Sequence, residues 1–151
     1  MKNNNEIIDD LKGLVNIIND GKEGYESAAE TTDSAELKTL FYGFSIERST
    51  YAADLKSHIS SHGGNSDNDS GGMLGALHRT WIDVKQVFTS NESEAILEAI
   101  TTGEKAAIEK YDAVLADYTD HEDHYNLLKK QRDGIQAALS KIENLSMQYS
   151  H

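Results

Sequence analysis

The sequence predicts an all-α fold: an antiparallel four-helix bundle in which two helical hairpins are joined by a long crossover. Three observations carry that prediction. The 151 residues contain no Pro, so nothing in the chain enforces a helix break. Two long segments, 5–62 and 92–149, place apolar residues at alternating 3- and 4-residue steps, the repeat of an amphipathic helix face. Between them lies His62-Gly63-Gly64-Asn65 through Gly71-Gly72, a glycine-rich polar stretch. A compact Leu/His/Trp segment follows it.

The first helix is expected over 5–30, with Ile7, Leu11, Leu14, Val15, Ile18, Tyr25, Ala28 and Ala29 as its seam and an interruption at Gly21 and Lys22. Thr31-Thr32-Asp33 ends it. Asp33 with Glu36 has capping-box character for a second helix over 34–62. That seam reads Leu37, Leu40, Phe41, Phe44, Glu47, Tyr51, Leu55, His58 and Ile59. Glu47 stands at mid-helix where an apolar residue is expected. So short a loop between the two forces them antiparallel.

The crossover spans 63–88. Asp67-Asn68-Asp69-Ser70-Gly71-Gly72 resembles the opening of a calcium loop, but His78 stands where the twelfth-position Glu is required, so the stretch reads as a polar loop. Ser70 can cap a short helix over 73–88, whose Leu74, Leu77, Trp81, Val84 and Phe88 form a stripe suited to packing across the bundle. A third long helix is expected over 92–118, capped by Asn91 with Glu94. Its seam is Ile96, Leu97, Ile100, Gly103, Glu104, Ala107, Ile108, Tyr111, Val114 and Leu115, again with a glutamate at mid-helix. A fourth runs over 120–149, with Thr119 and Glu122 as capping box and Tyr125, Leu128, Gln131, Ile135, Ala138, Leu139, Ile142 and Leu145 as seam. One domain over 1–151 follows, and a chain of this length can bury about 70% of its unfolded surface.

The hairpins echo each other. Gly103-Glu104-Lys105 follows Gly21-Lys22-Glu23 by 82 residues, and Gln131-Arg132 follows Glu47-Arg48 by 84. The near-equal offsets suggest a pseudo-twofold pairing of the first helix with the third and the second with the fourth. Two antiparallel hairpins and one long crossover define the ferritin-like topology. The segments Asp20-Gly21-Lys22-Glu23-Gly24-Tyr25, Gly72 through His78-Arg79-Thr80-Trp81, and Gly103-Glu104-Lys105-Ala106 resemble those of a family of small bacterial ferritin-like four-helix-bundle proteins, a domain of unknown function. The resemblance covers nearly the whole chain and implies no assigned activity. Members commonly carry a His late in the fourth helix; here that place reads Ala138-Leu139-Ser140.

Composition narrows the function. A net charge of −12 disfavours nucleic acid and anionic membrane surfaces as partners. The absence of Cys excludes disulfides, thiolate metal sites and Cys nucleophiles. No run is apolar enough to span a membrane, and Met1 to Asp10 lacks a signal-peptide core, so a cytoplasmic location is expected and the Asn91-Glu92-Ser93 and Asn144-Leu145-Ser146 sequons carry no meaning. No Ser stands in a nucleophile-turn context.

A ferritin-like di-iron centre needs a Glu from each of two helices and Glu-x-x-His from each of the other two. Here the second helix offers Glu47-x-x-Thr50, the fourth Gln131-x-x-Gly134, the third Glu104, and the first Glu23, with Lys22 competing for the inward place. Glu23, Glu47 and Glu104 are therefore the candidate metal ligands, too few for the full centre. Lys22, Arg48, Arg132 or the hydroxyls of Tyr25, Tyr51 and Tyr111 are expected to neutralise Glu47 and Glu104, because an unpaired buried carboxylate is costly. His58 with His62, at i, i+4, is a possible metal pair or a C-terminal cap; His121 with His124 is a possible surface zinc pair or a solvated helix start. His78 and Trp81 read as a packing anchor, the imidazole bonded to a bundle carbonyl or carboxylate. The resulting expectation is a non-catalytic helical bundle without cofactor, a stress-associated protein that associates with itself or with a protein partner. The alternative is a ferritin-like metal-binding or oxidase protein holding iron or manganese at an atypical mid-bundle carboxylate site.

Overall fold

The computed structural model describes residues 3–64, 76–90, 92–119 and 122–149, with the side chains of 76, 77 and 90 outside that description. The calcium-like loop, Ser70, Met73, Leu74, the Leu77 side chain, Asn91 and His121 therefore lie outside the described residues. The fold is all-α. Five α-helices are α1 (Asn4–Thr31), α2 (Ala35–Ser61), α3 (Ala76–Val87), α4 (Ser93–Leu115) and α5 (Glu122–Tyr149), with a 3-10 turn at Phe88–Ser90 and no strand among the described residues. None of these helices is long and apolar enough to cross a membrane.

Local chemistry sets the helix ends. Asn3 caps α1 in a full capping box with Glu6, a signal the sequence reading passes over. The cap of α2 is Ser34, which accepts from the Leu37 amide at 3.1 Å; Asp33, the expected cap, lies one residue too early for its oxygen to reach the first free amides. Glu92 stands at the N-cap of α4 and makes no side-chain cap bond.

The seams close as their spacing requires. Every expected seam residue of α1 and α4 is buried. On α2 the buried line runs Phe41, Ser45, Arg48, Ala52, Leu55 and Ile59, alternating steps of four and three. That line passes through Arg48. Glu47, expected on the seam, stands beside it and is half-buried.

Residue pairs set the local directions. The start of α1 meets the end of α2, where the Asn4 side chain donates to the His62 carbonyl. Tyr118, just beyond α4, donates to Asp10 early in α1, and Tyr25 late in α1 donates to Glu104 at mid-α4. Tyr111 on α4 meets Gln131 on α5, while Gln131 also reaches the Tyr51 carbonyl on α2. The apolar interior falls into two clusters. One gathers Leu11, Leu14, Ile18, Leu55, Ile59, Tyr111, Leu128 and Ile135; the other gathers Phe41, Leu37, Trp81, Ile96, Ile100 and Ile142. Each fully buried Leu, Ile or Phe contributes about 1.5–3 kcal/mol, so these clusters dominate the favourable side of folding. Arg48, Glu104 and Gln131 form a polar layer between them.

Candidate functional site

The polar layer is built from three helices. Glu104 sits at mid-α4, 0% exposed, one step beyond Gly103 on the α4 seam. Arg48, 1% exposed, reaches it from α2 and grips both carboxylate oxygens: Nη1 donates to Oε1 at 2.9 Å and Nη2 donates to Oε2. Tyr25 of α1 donates its hydroxyl to the same Oε2 at 2.6 Å, and its ring lies under the guanidinium carbon at 5.3 Å. Charge-assisted, bidentate bonds are the strongest of their kind, and here they neutralise a carboxylate that has lost all its water. Burial opposes the Arg48 cation, but Glu104 outweighs it and holds the guanidinium firmly protonated. Burial, then Glu104, pushes the Tyr25 hydroxyl well above its ordinary range, so it acts as a donor.

Around the pair lies a second set of polar contacts. Tyr111 donates to Gln131 Oε1 at 2.8 Å, and Gln131 Nε2 donates to the Tyr51 carbonyl at 3.1 Å, which satisfies the glutamine that interrupts the α5 seam. Burial, then the Glu47 carboxylate, pushes Tyr51 up to about 12. A Cβ on Gly134 would stand 1.8 Å from the Tyr51 hydroxyl, so the tip of that ring presses on the α5 backbone. Three buried atoms have no hydrogen-bond partner among the described residues: Glu47 Oε1, Arg48 Nε and Trp81 Nε1.

Helix α3 plugs into the same place. Trp81 of α3 is buried over a notch of glycines. A Cβ at Gly24 would stand 2.4 Å from the indole, one at Gly103 2.6 Å, and one at Gly21 3.8 Å from the indole and 2.8 Å from Arg48 Nη1. His78, one turn earlier, places Nδ1 3.0 Å from Asp20 Oδ1. Burial raises the Asp20 carboxyl, and the bond to His78 opposes that rise. Thus Asp20, Gly21, Gly24, Tyr25, His78, Trp81, Gly103 and Glu104, far apart in sequence, are one site.

Of the expected metal ligands, Glu23 stands apart from Glu104. Glu23 is exposed and faces Lys85 of α3 at 3.9 Å. Lys22 turns outward to Glu26 at 3.7 Å, and Arg132 pairs with Asp112 at 2.9 Å on the surface. Glu104 has its oxygens engaged by a guanidinium and a hydroxyl, and no imidazole is bonded to it among the described residues. A di-iron centre needs four carboxylates and two imidazoles, and a cation already occupies the position between the helices, so these residues do not fit that group. Elsewhere, α2 and α5 bring His58 and His62 beside Asp123 and His124, uniting two histidine pairs that the sequence reading treated separately.

Residues 6–117 match the family model described as a domain of unknown function, DUF2383. The chain belongs to the DUF2383 family. No curated protein and no solved structure matches it. The DUF2383 match covers α1 through α4, and so includes Tyr25, Arg48, Trp81 and Glu104, while Asp123, His124 and Gln131 lie beyond it.

Proposed function

We propose that this DUF2383 chain is a ferritin-like antiparallel four-helix bundle, one domain crossed by α3, that acts as a non-catalytic interaction protein. The observation that supports this reading most directly is the engagement of both Glu104 oxygens by Arg48 and Tyr25. The position where a ferritin-like protein would carry metal is filled by an internal ion pair. The pairings of α1 with α2 and α4, and of α5 with α4 and α2, agree with two hairpins and a full-length crossover. Association is the remaining mode of action. Tyr42 and Ile46, one turn apart on α2 and the latter 69% exposed, favour a protein partner or a second copy on that face.

The test uses untagged protein given Fe(II) and then oxygen. The expected result is no oxidation above buffer and no change in metal content on the double change Glu47→Ala/Glu104→Ala. Iron or manganese near two per chain, lost in that variant, would overturn the reading. Sedimentation velocity checks the other half: Ile46→Lys should lower self-association or partner capture while leaving the fold intact.

A further inference from the structure

We propose that His58, His62, Asp123 and His124 form a binding site for one divalent transition-metal ion of the zinc type. His58 and His62 share one face of the last turns of α2 through their i, i+4 spacing. Asp123 and His124 open α5. One ligand atom from each residue lies within 4.8 Å of every other. His58 Nε2 stands 2.5 Å from His124 Nδ1, while Asp123 Oδ2 stands 3.9 Å from His58 Nε2 and 3.8 Å from His62 Nε2. Four ligands at about 2.0–2.1 Å from a tetrahedral zinc lie about 3.3 Å from one another, so small side-chain adjustments reach that geometry.

Simpler roles do not account for the cluster. Capping by a cation explains His58 and His62 at the C-terminal end of α2, but His124 lies in the first turn of α5, where the helix dipole opposes a positive charge. His124 is only 2% exposed, and the three ring centroids lie 4.6 to 5.0 Å apart. Three imidazoles packed this closely, at tilted and edge-on angles, are poor packing for a core that Leu would fill without loss of hydration. Asp123 beside them is 62% exposed and reaches the solvent. What the four residues share is one ligand atom each in a common neighbourhood that reaches solvent at Asp123. Supporting bonds fix the backbone there: Ser61 donates to the His58 carbonyl and Asn4 to the His62 carbonyl.

Donor type selects the metal. Three imidazoles and one carboxylate, with no thiolate, suit Zn²⁺ and its neighbours Co²⁺, Ni²⁺ and Cu²⁺ better than Mg²⁺ or Ca²⁺, which take oxygen ligands. The ion would tie the end of α2 to the start of α5, joining at the bundle end the two hairpins that Arg48 and Glu104 join at its middle.

The experiment uses the full-length chain without a His tag, stripped with chelator and titrated with Zn²⁺ against a chromogenic competitor. One equivalent should bind, and Co²⁺ in its place should give the intense visible band of a tetrahedral ion. His62→Gln and Asp123→Asn, both on solvent-reaching side chains, should each weaken binding by at least about 10-fold, and His58→Gln/His62→Gln should abolish it. Glu47→Gln should leave uptake unchanged. No uptake by the wild type, uptake by the double variant equal to that of the wild type, or loss on Glu47→Gln instead would each overturn the site. Circular dichroism of every variant separates lost ligands from lost helix.

Discussion

The middle of the bundle and its end solve the same problem in opposite ways. Both gather polar groups inside a helical protein. At mid-bundle the charges cancel within the chain: Arg48 sits between the helices and Glu104 answers it with both oxygens. At the end, three imidazoles and a carboxylate lie within 4.8 Å of one another. In the first site the central charges answer each other, and in the second we place a metal ion. Polar residues on a core seam are therefore no sign of a ligand until their partners are counted.

The sharpest way to break the comparison is to break the pair. Arg48→Leu leaves Glu104 buried and unanswered and should cost about 3–5 kcal/mol by urea unfolding, whereas Arg48→Met/Glu104→Leu should recover most of that loss or exceed the wild type. A mild single-variant effect would mean that the centre is not a structural pair. Next in size, Zn²⁺ at a hundredfold its dissociation constant should add about 2.7 kcal/mol to wild-type stability and nothing to the double variant His58→Gln/His62→Gln, read from thermal melts with and without chelator. Gly24→Ala pushes a methyl into the Trp81 indole and should cost about 1–3 kcal/mol.

Alkali probes the same centre through its tyrosines. Tyr25, Tyr51 and Tyr111 all have folded-state values raised above the unfolded value near 10, in each case by burial first. The unfolded chain thus loses their protons before the folded one does. Stability is intact below pH 10 and falls above it, by up to about 1.4 kcal/mol per pH unit for each tyrosine. Urea midpoints from about pH 9 to about pH 11 should show the fall, and Tyr51→Phe should flatten it. The smallest effect belongs to Glu23→Ala, expected within about 0.5 kcal/mol by urea unfolding, because Glu23 lies outside the centre.

Much of this architecture was legible in residue spacing. The 3- and 4-residue steps placed nearly every buried position of α4 and α5, and helix limits shifted by only a few residues; on α1 they missed Ile8, Asn16, Ile17, Asp20 and Gly24, which widen the buried face beyond one seam. Spacing failed at mid-α2, where Phe44 and Glu47 fit one seam and Ser45 and Arg48 another, although Tyr51 is buried as expected. Hydropathy favoured the aromatic line, and only the need to neutralise Glu104 selects the arginine line. Gly21 read as an interruption, Gly103 as a plain seam position and Gly24 as no contact at all, because a residue without a side chain declares nothing about the indole that rests on it. The histidines were visible as two pairs. Their union needed the pairing of the second helix with the fourth, which the internal repeat already suggested, followed to its end rather than only to its middle.

Trp81 makes the crossover observable on its own. It is the only tryptophan of the chain, it sits dry in a glycine notch on α1 and α4, and its indole nitrogen has no partner among the described residues. Its emission should therefore be blue-shifted while α3 is docked and move to the red when α3 leaves. Circular dichroism follows the four long helices instead. If the two signals part company during denaturation, the crossover opens as a separate unit before the bundle melts, and the chain contains its own optical gauge of that step.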